Sequence, residues 1–372
     1  MNSQRARHPI FGIDASRAVT AAPTGTEYYS RALIRTLLQL ATPFHFRLYT
    51  RTLPPANLFP LTNNYDVRVM PFPRLWTHLR LSYEMLTRPP DALFVPAHVL
   101  PPIHPRNSLV TVHDVGYKYF PATHSRLSRL YLDLSTRWNV RDARVVIADS
   151  RTTRDDIVKF YGAPVEKIRV VYPAYNTDVF KPIHDVGEIQ RVRSKYALLS
   201  PYLISVGTVQ PRKNYARLIE AAASLPNEYS LVIVGKKSEG FDALAVRVRE
   251  LKMEARVKFL DYVPIDYLPA LYAGAELAVF PSLYEGFGFP ALEAQACETP
   301  LVCSNTSSLP EVAGEGAAYF GPLDTTDMAN VIHHYLADSN ARAALVEQGR
   351  ANLERFSWER AAKDIVEIVM AL

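Results

Sequence analysis

The sequence has few cysteines and no recognisable metal-binding pattern. Among 372 residues only Cys297 and Cys303 are cysteines, and their spacing fits no zinc or redox motif. No Asp-x-Asp motif occurs, and no cluster of histidine, cysteine and carboxylate residues has the spacing of metal ligands. We therefore expect both cysteines to be small buried hydrophobic residues, and we expect a mechanism without a metal ion or another cofactor.

Long apolar segments are absent as well. No uninterrupted apolar run approaches the roughly eighteen residues of a membrane helix. No apolar signal segment separates the N-terminal residues from the first strand, and we therefore expect a cytoplasmic protein. Apolar residues make up 48% of the chain and charged residues 21%, which are ordinary values for globular proteins. Because 372 residues exceed what one hydrophobic core comfortably supports, two domains are expected.

Positive charge exceeds negative charge only mildly. The formal net charge of +5 indicates an anionic partner. This net charge is too mild and too dispersed to require nucleic acid. A sugar nucleotide, an anionic lipid and a membrane surface all remain open at this point, including the inner face of the cytoplasmic membrane.

Strand-like apolar runs alternate with helix-like segments along the whole chain, which is typical of parallel α/β architecture. A stretch at 175–187 has turn formers and prolines without periodicity, so we place a domain boundary near residue 182. The prediction is a first domain at 1–182, a second at 183–356 and a last helix at 357–372. The predicted strands are 10–14, 45–49, 67–71, 92–95, 109–113, 145–149 and 168–172, then 202–207, 231–235, 257–260, 277–280, 301–304 and 317–320.

The most informative segment is a strand, a turn and a helix near residue 285. Glu285 and Glu293 flank the Gly-Phe-Gly turn at 286–288, and Pro290 suits the first helical position. In an open parallel sheet such a junction lies at the carboxyl ends of the strands, where helix N–H groups favour an anion. A carboxylate can accept two hydrogen bonds from a sugar diol. The segment therefore predicts a site for a ligand that carries both phosphates and hydroxyls.

The same turn also fits the dinucleotide fingerprint G-x-G-x-x-A, from Gly286 to Ala291. A nicotinamide site would need an acidic residue about twenty positions further on, at the end of the next strand. That strand ends in Asn305. The nicotinamide interpretation is therefore not favoured.

A basic pair follows the first strand of the second half. Arg212 and Lys213 come after the strand at 202–207 and directly before a predicted helix. A guanidinium and an ammonium together offset the roughly two negative charges of a diphosphate. A solvated surface pair is the alternative, and the place of the two residues at the sheet edge favours the anion site.

Two further motifs lie in the first half. Gly25 and Thr26 stand where the first helix is predicted to begin, so backbone N–H groups there can approach a ligand. His113 and Asp114 close a buried strand and should emerge at its carboxyl end. A histidine in that place can hydrogen-bond a reacting hydroxyl, although a lone histidine is more often structural.

Two amphipathic helices are predicted at 74–88 and 125–141, and a third forms the chain end. Packing on the sheet explains the apolar stripes of the first two, and contact with a membrane is the alternative. The last helix has Ser357 as its N-cap, but Arg360 stands where a capping box would have an acid. The stripes consist of Leu75, Trp76, Leu79 and Tyr83, of Leu127, Leu130, Tyr131, Leu134 and Trp138, and of Trp358, Ala361, Ile365, Ile368 and Val369.

These motifs resemble those of the retaining glycosyltransferases of family 4, which have the GT-B fold. In the second half, the segments 206–214, 260–264, 268–272 and 280–293 stand in the family's order. The looser likeness of the first half rests on the Gly25 loop, on His113 with Asp114, and on 171–180. The resemblance implies two Rossmann-like domains with a cleft between them and a last helix that crosses back to the first domain. Acceptor would bind the first domain and nucleotide sugar the second.

The resemblance also implies individual roles. Arg212 and Lys213 would hold the diphosphate, and Glu293 the ribose hydroxyls. Glu285 and the backbone of the turn would hold the donor sugar, the main chain of Val263 would meet the base, and His113 would contact the transferred sugar. The implied catalytic set is His113, Arg212, Lys213 and Glu285, and the implied donor-binding set is Gly25, Thr26, Gly207, Arg212, Lys213, Val263, Glu285, Gly286, Phe287, Gly288 and Glu293.

One position departs from the family pattern. Many members have arginine where Thr208 stands, whereas this chain resembles a Pro-Arg-Lys-Asn subgroup that often uses GDP-mannose. The resemblance implies a metal-independent, retaining hexosyltransferase that moves mannose to a saccharide or lipid-linked acceptor. A UDP-sugar donor stays open. The alternatives are a sugar-nucleotide epimerase of the same fold, a phosphorylase, for which no pyridoxal lysine is identifiable, and a non-catalytic sugar-nucleotide-binding protein.

Overall fold

The computed structural model describes residues 8–20, 25–97, 99–238 and 240–372. These ranges contain thirteen β-strands, and each of the predicted strands is confirmed to within two residues at either end. In chain order the strands are β1 Ile10–Asp14, β2 His45–Thr50, β3 Tyr65–Val69, β4 Ala92–Val95, β5 Ser108–Val112, β6 Val145–Ala148, β7 Ile168–Val170, β8 Tyr202–Val206, β9 Ser230–Val234, β10 Val257–Phe259, β11 Leu277–Phe280, β12 Leu301–Ser304 and β13 Ala317–Phe320.

Helices connect almost all of these strands, as parallel pairing requires. The α-helices of the described ranges are α1 Gly25–Leu37, α2 Ser82–Thr87, α3 Gly116–Tyr119, α4 Arg126–Asp142, α5 Arg151–Tyr161, α6 Val186–Lys195, α7 Tyr215–Ala223, α8 Phe241–Glu250, α9 Leu268–Ala273, α10 Phe289–Ala296, α11 Leu309–Ala313, α12 Thr325–Ala337, α13 Ser339–Leu353 and α14 Trp358–Met370. None of the described helices is both long and apolar enough to cross a membrane.

The chain packs into two compact units. Unit 1 is formed by the described parts of 1–115, 126–173 and 357–372, and unit 2 by those of 116–125 and 174–356. Unit 1 has a seven-stranded parallel sheet in the order β3-β2-β1-β4-β5-β6-β7. Its central strands are buried on both faces, which explains their nearly continuous apolar sequences.

Unit 2 has a six-stranded parallel sheet in the order β10-β9-β8-β11-β12-β13. The strand order reverses between β8 and β11, so the connections that leave these two strands diverge to opposite faces of the sheet. A crevice opens at such a point, and ligands of doubly wound sheets bind there. The second sheet therefore places the loops after β8 and β11 side by side at its carboxyl edge.

The boundary between the units differs from the sequence prediction near residue 182. Unit 2 begins at Ala174, because Ala174 and Phe180 are buried and Phe180 packs into the core of the second sheet. The segment 116–125 also belongs to unit 2, where the Tyr119 ring lies 4.9 Å from that of Tyr284. The linker lacks helical periodicity, so its sequence did not reveal which of its residues enter a core.

The predicted helix at 74–88 is only partly α-helical. Leu75 has a left-handed backbone with φ 53, a π-helical turn follows at Trp76–Leu81, and α2 is short. The buried indole of Trp76 donates a 2.7 Å hydrogen bond to the Met70 carbonyl. This anchor fixes where the segment starts, and it depends on a contact that apolar periodicity cannot reveal.

The last helix is confirmed as α14. The Ser357 hydroxyl accepts a hydrogen bond from the Arg360 N–H at 3.4 Å, so the cap forms without a reciprocal acid. Trp358 packs edge-on against Tyr29 of α1, with ring centroids 5.7 Å apart. The buried stripe of α14 thus completes the core of unit 1. Cys297 and Cys303 are both buried, as predicted.

Candidate active site

The predicted basic pair and the first predicted carboxylate meet at the carboxyl edge of the second sheet. The loop after β8 forms a short 3-10 turn at Pro211–Lys213, and the loop after β11 carries Glu285. The two loops are joined by a hydrogen bond of 2.8 Å from the Leu283 N–H to the Arg212 carbonyl. Residues more than seventy positions apart in sequence are therefore held together by the reversal of strand order at this point.

Glu285 binds both basic side chains. Arg212 Nη1 lies 2.7 Å from Glu285 Oε2, and Lys213 Nζ lies 2.6 Å from Oε1. The Ser282 hydroxyl donates to the same Oε1 at 2.6 Å, and Arg212 Nη1 also donates to the Tyr284 carbonyl at 3.0 Å. The three charged groups carry a net charge of about +1, because one carboxylate faces two cations.

Two opposing effects set the pKa values of this cluster: burial disfavours the charged forms, and ion pairing favours them. Burial alone raises the pKa of Glu285, but the charges of Lys213 and Arg212 outweigh it and lower the pKa to about 2. Burial lowers the pKa of Lys213, and the Glu285 charge counters this effect. Glu285 therefore stays ionised at neutral pH. Its contribution to stability is present above the ordinary glutamate pKa and is lost as the pH falls towards about 2.

Serine side chains fix the backbone of the Gly-Phe-Gly turn. Ser307 Oγ accepts from the Glu285 N–H at 2.9 Å and donates to the Glu285 carbonyl at 2.5 Å. Ser308 Oγ lies within donating distance of two carbonyls, Glu285 at 2.9 Å and Phe287 at 2.7 Å. Gly288 has φ 104 and is the N-cap of α10, a backbone conformation that only glycine adopts without strain. The helix starts at Phe289, so Pro290 is its second residue.

Gly207 brings the chain close to the cluster. Its φ is 155, and a Cβ atom built on it would lie 3.1 Å from Lys213 Nζ. The Tyr215 hydroxyl donates to the Gly207 carbonyl at 2.9 Å. A side chain at this position would displace the Lys213 ammonium, and this explains glycine at the end of β8.

Glu293 lies one helical turn into α10 and differs from Glu285 in its electrostatics. Burial raises its pKa to about 7, against the opposing effects of the Lys213 charge and the nearby Tyr272 phenol. The charge of Glu293 in turn raises the pKa of Lys213, so the two groups interact electrostatically. Glu293 thus changes charge near neutral pH, whereas Glu285 does not.

This difference leads to a stability prediction. A carboxyl whose folded pKa of about 7 exceeds its unfolded value favours the folded state at low pH, and stability falls as the pH rises from about 4.5 to 7. Replacement Glu293→Gln should therefore stabilise the unliganded protein at pH ~8 by about 2 kcal/mol and have little effect at pH ~5. Chemical denaturation at both pH values measures it.

The matched control is Glu254→Gln, which removes an exposed carboxylate of unit 2. It should leave the pH dependence of unfolding as in the wild type. Equal destabilisation by Glu293→Gln at both pH values would show that Glu293 is ionised throughout.

The remaining predicted donor-binding residues of unit 2 are Val263 and Gly286. Val263 is buried in the core of the second sheet, so its side chain contributes to packing. Gly286 lies between Glu285 and Phe287, whose carbonyls both lie within hydrogen-bond distance of the Ser308 hydroxyl. The turn is therefore held rigidly on either side of Gly286.

The predicted residues of the first half lie in unit 1. Gly25 and Thr26 are the first two residues of α1, as predicted. His113 follows β5, and its Nδ1 lies 2.6 Å from Asp149 Oδ2 at the end of β6, the neighbouring strand. Asp149 is buried, and Tyr29 of α1 packs edge-on against the imidazole at 4.7 Å.

The His113 environment favours the charged imidazole. Burial lowers the pKa of His113, but the charge and hydrogen bond of Asp149, the charge of Asp114 and the Pro96 carbonyl together raise it above its ordinary value. Burial also raises the pKa of Asp149, against the effect of His113. Among the described residues, His113 Nε2 and Asp149 Oδ1 have no hydrogen-bond partner of good geometry. The ring is oriented through Nδ1, and Nε2 is the ring nitrogen that this contact with Asp149 does not use.

Sequence reasoning missed several residues of both sites. Asp149 was expected only as the last residue of a strand, although its place at the carboxyl end of β6, beside the strand that ends before His113, was a usable signal. Ser282, Ser307 and Ser308 gave none, because their hydrogen bonds depend on how loops approach. No group of three or more histidine, cysteine or acidic side chains in the described ranges is placed to hold a metal ion.

The two halves of the chain match known families. Residues 23–179 match "Glycosyltransferase Family 4", and residues 188–352 match "Glycosyl transferases group 1". The chain is 33% identical over 257 residues to O-antigen chain mannosyltransferase B of Escherichia coli, which covers 68% of this chain and 67% of that protein. It is 31% identical to O-antigen chain mannosyltransferase RfbU of Salmonella typhimurium over 63% of this chain and 62% of that protein.

Solved structures show the same fold. Sucrose-phosphate synthase from Thermosynechococcus elongatus superposes with a TM-score of 0.74 at 21% identity, over 98% of this chain and 99% of that one. WaaG, a glycosyltransferase involved in lipopolysaccharide biosynthesis, superposes with a TM-score of 0.70 at 18% identity, over 97% and 99%. Two parallel α/β units with these neighbours define a GT-B glycosyltransferase fold. The chain belongs to glycosyltransferase family 4.

Proposed function

We propose that this glycosyltransferase moves mannose from GDP-mannose to a lipid-linked saccharide during synthesis of a surface polysaccharide. Support comes from the relatives, whose names describe mannosyltransferases of O-antigen chains. The most specific parts of this proposal are the lipid-linked acceptor and the guanine nucleotide of the donor. A UDP-sugar donor and a soluble saccharide acceptor are the alternatives that its experiment separates.

The observation that carries the proposal is the cluster of Arg212, Lys213 and Glu285 at the reversal of strand order. Its net charge of about +1 leaves cationic character for an anionic ligand. Lys213 Nζ has a single hydrogen-bond partner among the described residues, Glu285, so two of its three N–H donors remain for phosphate oxygens. A diphosphate with about two negative charges suits this place better than a neutral ligand does.

The carboxylates would bind the sugar parts of the donor. Ionised Glu293 would accept hydrogen bonds from the ribose diol, so the affinity for nucleotide should rise with pH through about 7. Glu285 and the backbone of Phe287 and Gly288 would hold the mannose. The main chain of Val263 would contact the base.

Unit 1 would bind the acceptor, and it would also contribute Gly25 and Thr26 to donor binding and His113 to catalysis. Gly25 and Thr26 offer the first N–H groups of α1, which has no intrahelical partners for them. The oriented His113 would hydrogen-bond the transferred sugar near its anomeric carbon. In the bond exchange, the anomeric carbon leaves the diphosphate oxygen and joins an acceptor hydroxyl oxygen, whose proton is released, with retention of configuration.

Electrostatic stabilisation of the leaving group is the proposed main source of rate. As the bond to the diphosphate breaks, negative charge builds up on its oxygen, and the fixed charges of Arg212 and Lys213 stabilise it without reorganisation. Burial of Lys213 strengthens this effect, because the surrounding protein screens charge less than water does.

The test combines binding and transfer. A thermal-shift screen with GDP, UDP and ADP should show selective stabilisation by GDP, about 5 °C at a ligand concentration near 100 times Kd. Incubation with GDP-mannose and a polyprenyl-diphosphate-linked saccharide should then give an acceptor heavier by one hexose. Selective stabilisation by UDP would overturn the donor assignment. Turnover of donor without acceptor would indicate an epimerase or a hydrolase instead.

A further inference from the structure

Unit 1 exposes an unusual number of large apolar side chains on two adjacent segments. Packing on the sheet buries part of each amphipathic stripe, namely Trp76 in the first segment and Val140 in the second. Leu81 and Met85 are buried as well, but eight other apolar side chains are between 45% and 81% exposed. We call them the apolar face, which consists of Leu75, Leu79, Tyr83 and Leu86 and of Leu127, Leu130, Tyr131 and Leu134.

The two halves of the apolar face are neighbours. His78, in the π-helical turn, and Tyr131, in α4, have ring centroids 6.2 Å apart. The spacing within α4, at positions 127, 130, 131 and 134, places these residues on one side of that helix. Soluble proteins rarely expose contiguous apolar patches of more than a few hundred Å², and larger ones mark interaction sites.

The charges around the apolar face have one sign. Arg74 and Arg88 are exposed beside its first half, and Arg126, Arg129 and Arg137 beside its second. The two carboxylates of these segments are engaged within unit 1: buried Glu84 pairs with Arg68 and Arg80, and Asp133 accepts from Tyr161. The surface therefore combines leucine and tyrosine side chains with arginines and no exposed acid within 74–88 or 126–137.

From this combination we propose that the apolar face is a docking surface for a membrane rich in anionic phospholipid. Leucine and tyrosine side chains insert at the boundary of head groups and acyl chains, and the arginines bind the lipid phosphates. A second copy of this chain does not fit the same surface, because two such faces would bring ten arginines together, and on each face Asp133 is the one partly exposed carboxylate of these segments, beside Arg137 at 3.9 Å. The lipid surface satisfies both the apolar and the cationic part.

Membrane docking rests on the proposed function, because binding to a membrane assists transfer only if the acceptor is lipid-linked. Docking would bring unit 1, the proposed acceptor-binding unit, to the surface that holds such an acceptor. The binding test uses vesicles without donor or acceptor. A failure of docking and a failure of the donor assignment are therefore separate results.

Vesicle sedimentation tests the proposal. The full-length protein should pellet with phosphatidylcholine vesicles that contain about 30% phosphatidylglycerol, at least tenfold more strongly than with phosphatidylcholine alone. Binding should weaken severalfold at ~0.5 M salt, because the arginine contacts are screened. Equal binding to neutral and anionic vesicles, or binding to neither, would overturn the proposal.

Two variants locate the surface. L127Q/L130Q/L134Q should reduce binding to anionic vesicles at least tenfold, and R126E/R129E should do the same by reversing charge. The matched control L199Q/L323Q changes two exposed leucines of unit 2, which are 87% and 69% exposed, and should bind as the wild type does. Melting temperatures check that each variant folds. Wild-type binding by either folded variant of the apolar face contradicts the proposal.

A fluorescent label gives a second measurement, which detects membrane contact directly and does not depend on a variant that binds less. A polarity-sensitive dye on Leu130→Cys should shift to the blue on anionic vesicles, and the same dye on Leu199→Cys should not. The native cysteines are buried, so they should not compete for the label. An unshifted spectrum at position 130 while the protein pellets with vesicles would place the docking surface elsewhere. A concentration-dependent shift without vesicles would favour a second copy as the occupant.

Discussion

Replacement of Lys213 by alanine should lower the turnover number by about 10²- to 10³-fold, the effect typical of removing one fixed donor to a developing negative charge. Lys213 is buried, lies 2.6 Å from Glu285, and has two further N–H donors for a leaving diphosphate. Steady-state kinetics with saturating donor and acceptor measure the loss.

The variant must be separated from simple unfolding. Removal of one partner of a buried ion pair destabilises a protein by about 3 to 5 kcal/mol when the other charge is left unpaired. Glu285 keeps its ion pair with Arg212 at 2.7 Å, so we expect a smaller loss here. The variant Lys213→Met keeps an unbranched apolar side chain without the charge and should recover most of the melting temperature that Lys213→Ala loses, but none of the turnover. Lys195→Ala, an exposed lysine of unit 2, is the control for a surface change. Wild-type turnover by the folded Lys213→Ala protein would falsify the role.

Replacement of His113 by alanine should lower turnover by about 10²-fold while leaving nucleotide binding unchanged, since a positioned proton donor or acceptor contributes roughly this much. The oriented Nε2 of His113 lies in unit 1, whereas the proposed diphosphate site lies in unit 2. The thermal shift with nucleotide should therefore equal that of the wild type. A reduced nucleotide shift would show that the variant disturbs the second unit, and unchanged turnover would show that His113 is structural.

Asp149 acts through His113 and should be recognised by pH dependence. The charge of Asp149 raises the pKa of His113, so Asp149→Asn should move the limb of the pH profile that reports His113 about one unit towards acid. Asp155→Asn on α5 removes an exposed carboxylate of the same unit and should leave the profile unchanged. An unshifted profile for Asp149→Asn would show that the pair serves folding alone.

Some features of the site were predictable because they are local. The Gly-Phe-Gly turn required glycine at a left-handed backbone, and α10 begins one residue before the proline that was expected to start it. The end of each apolar run marked the carboxyl end of a strand, so the sequence indicated that Lys213, Glu285 and His113 lie at sheet edges. Apolar runs of four to six residues in alternation with helices also defined both sheets.

Other features depended on contacts between distant segments. The charges of Lys213 and Glu285 are seventy-two positions apart, and their 2.6 Å contact exists because β8 and β11 are neighbours. The amphipathic stripe of α4 was equally consistent with a core and with a surface. Only packing showed that Leu127, Leu130 and Leu134 remain exposed.

The sequence by itself determined the positions of the strands, the parallel α/β class and the chemical types at the strand ends, because backbone propensity, apolar periodicity and turn chemistry act over a few residues. The tertiary structure decided which strand ends meet, that Glu285 pairs with both cations, that Asp149 orients His113, and that Glu293 has a pKa of about 7. These properties arise from burial and from charges brought together across long loops, and neither is encoded within any one segment.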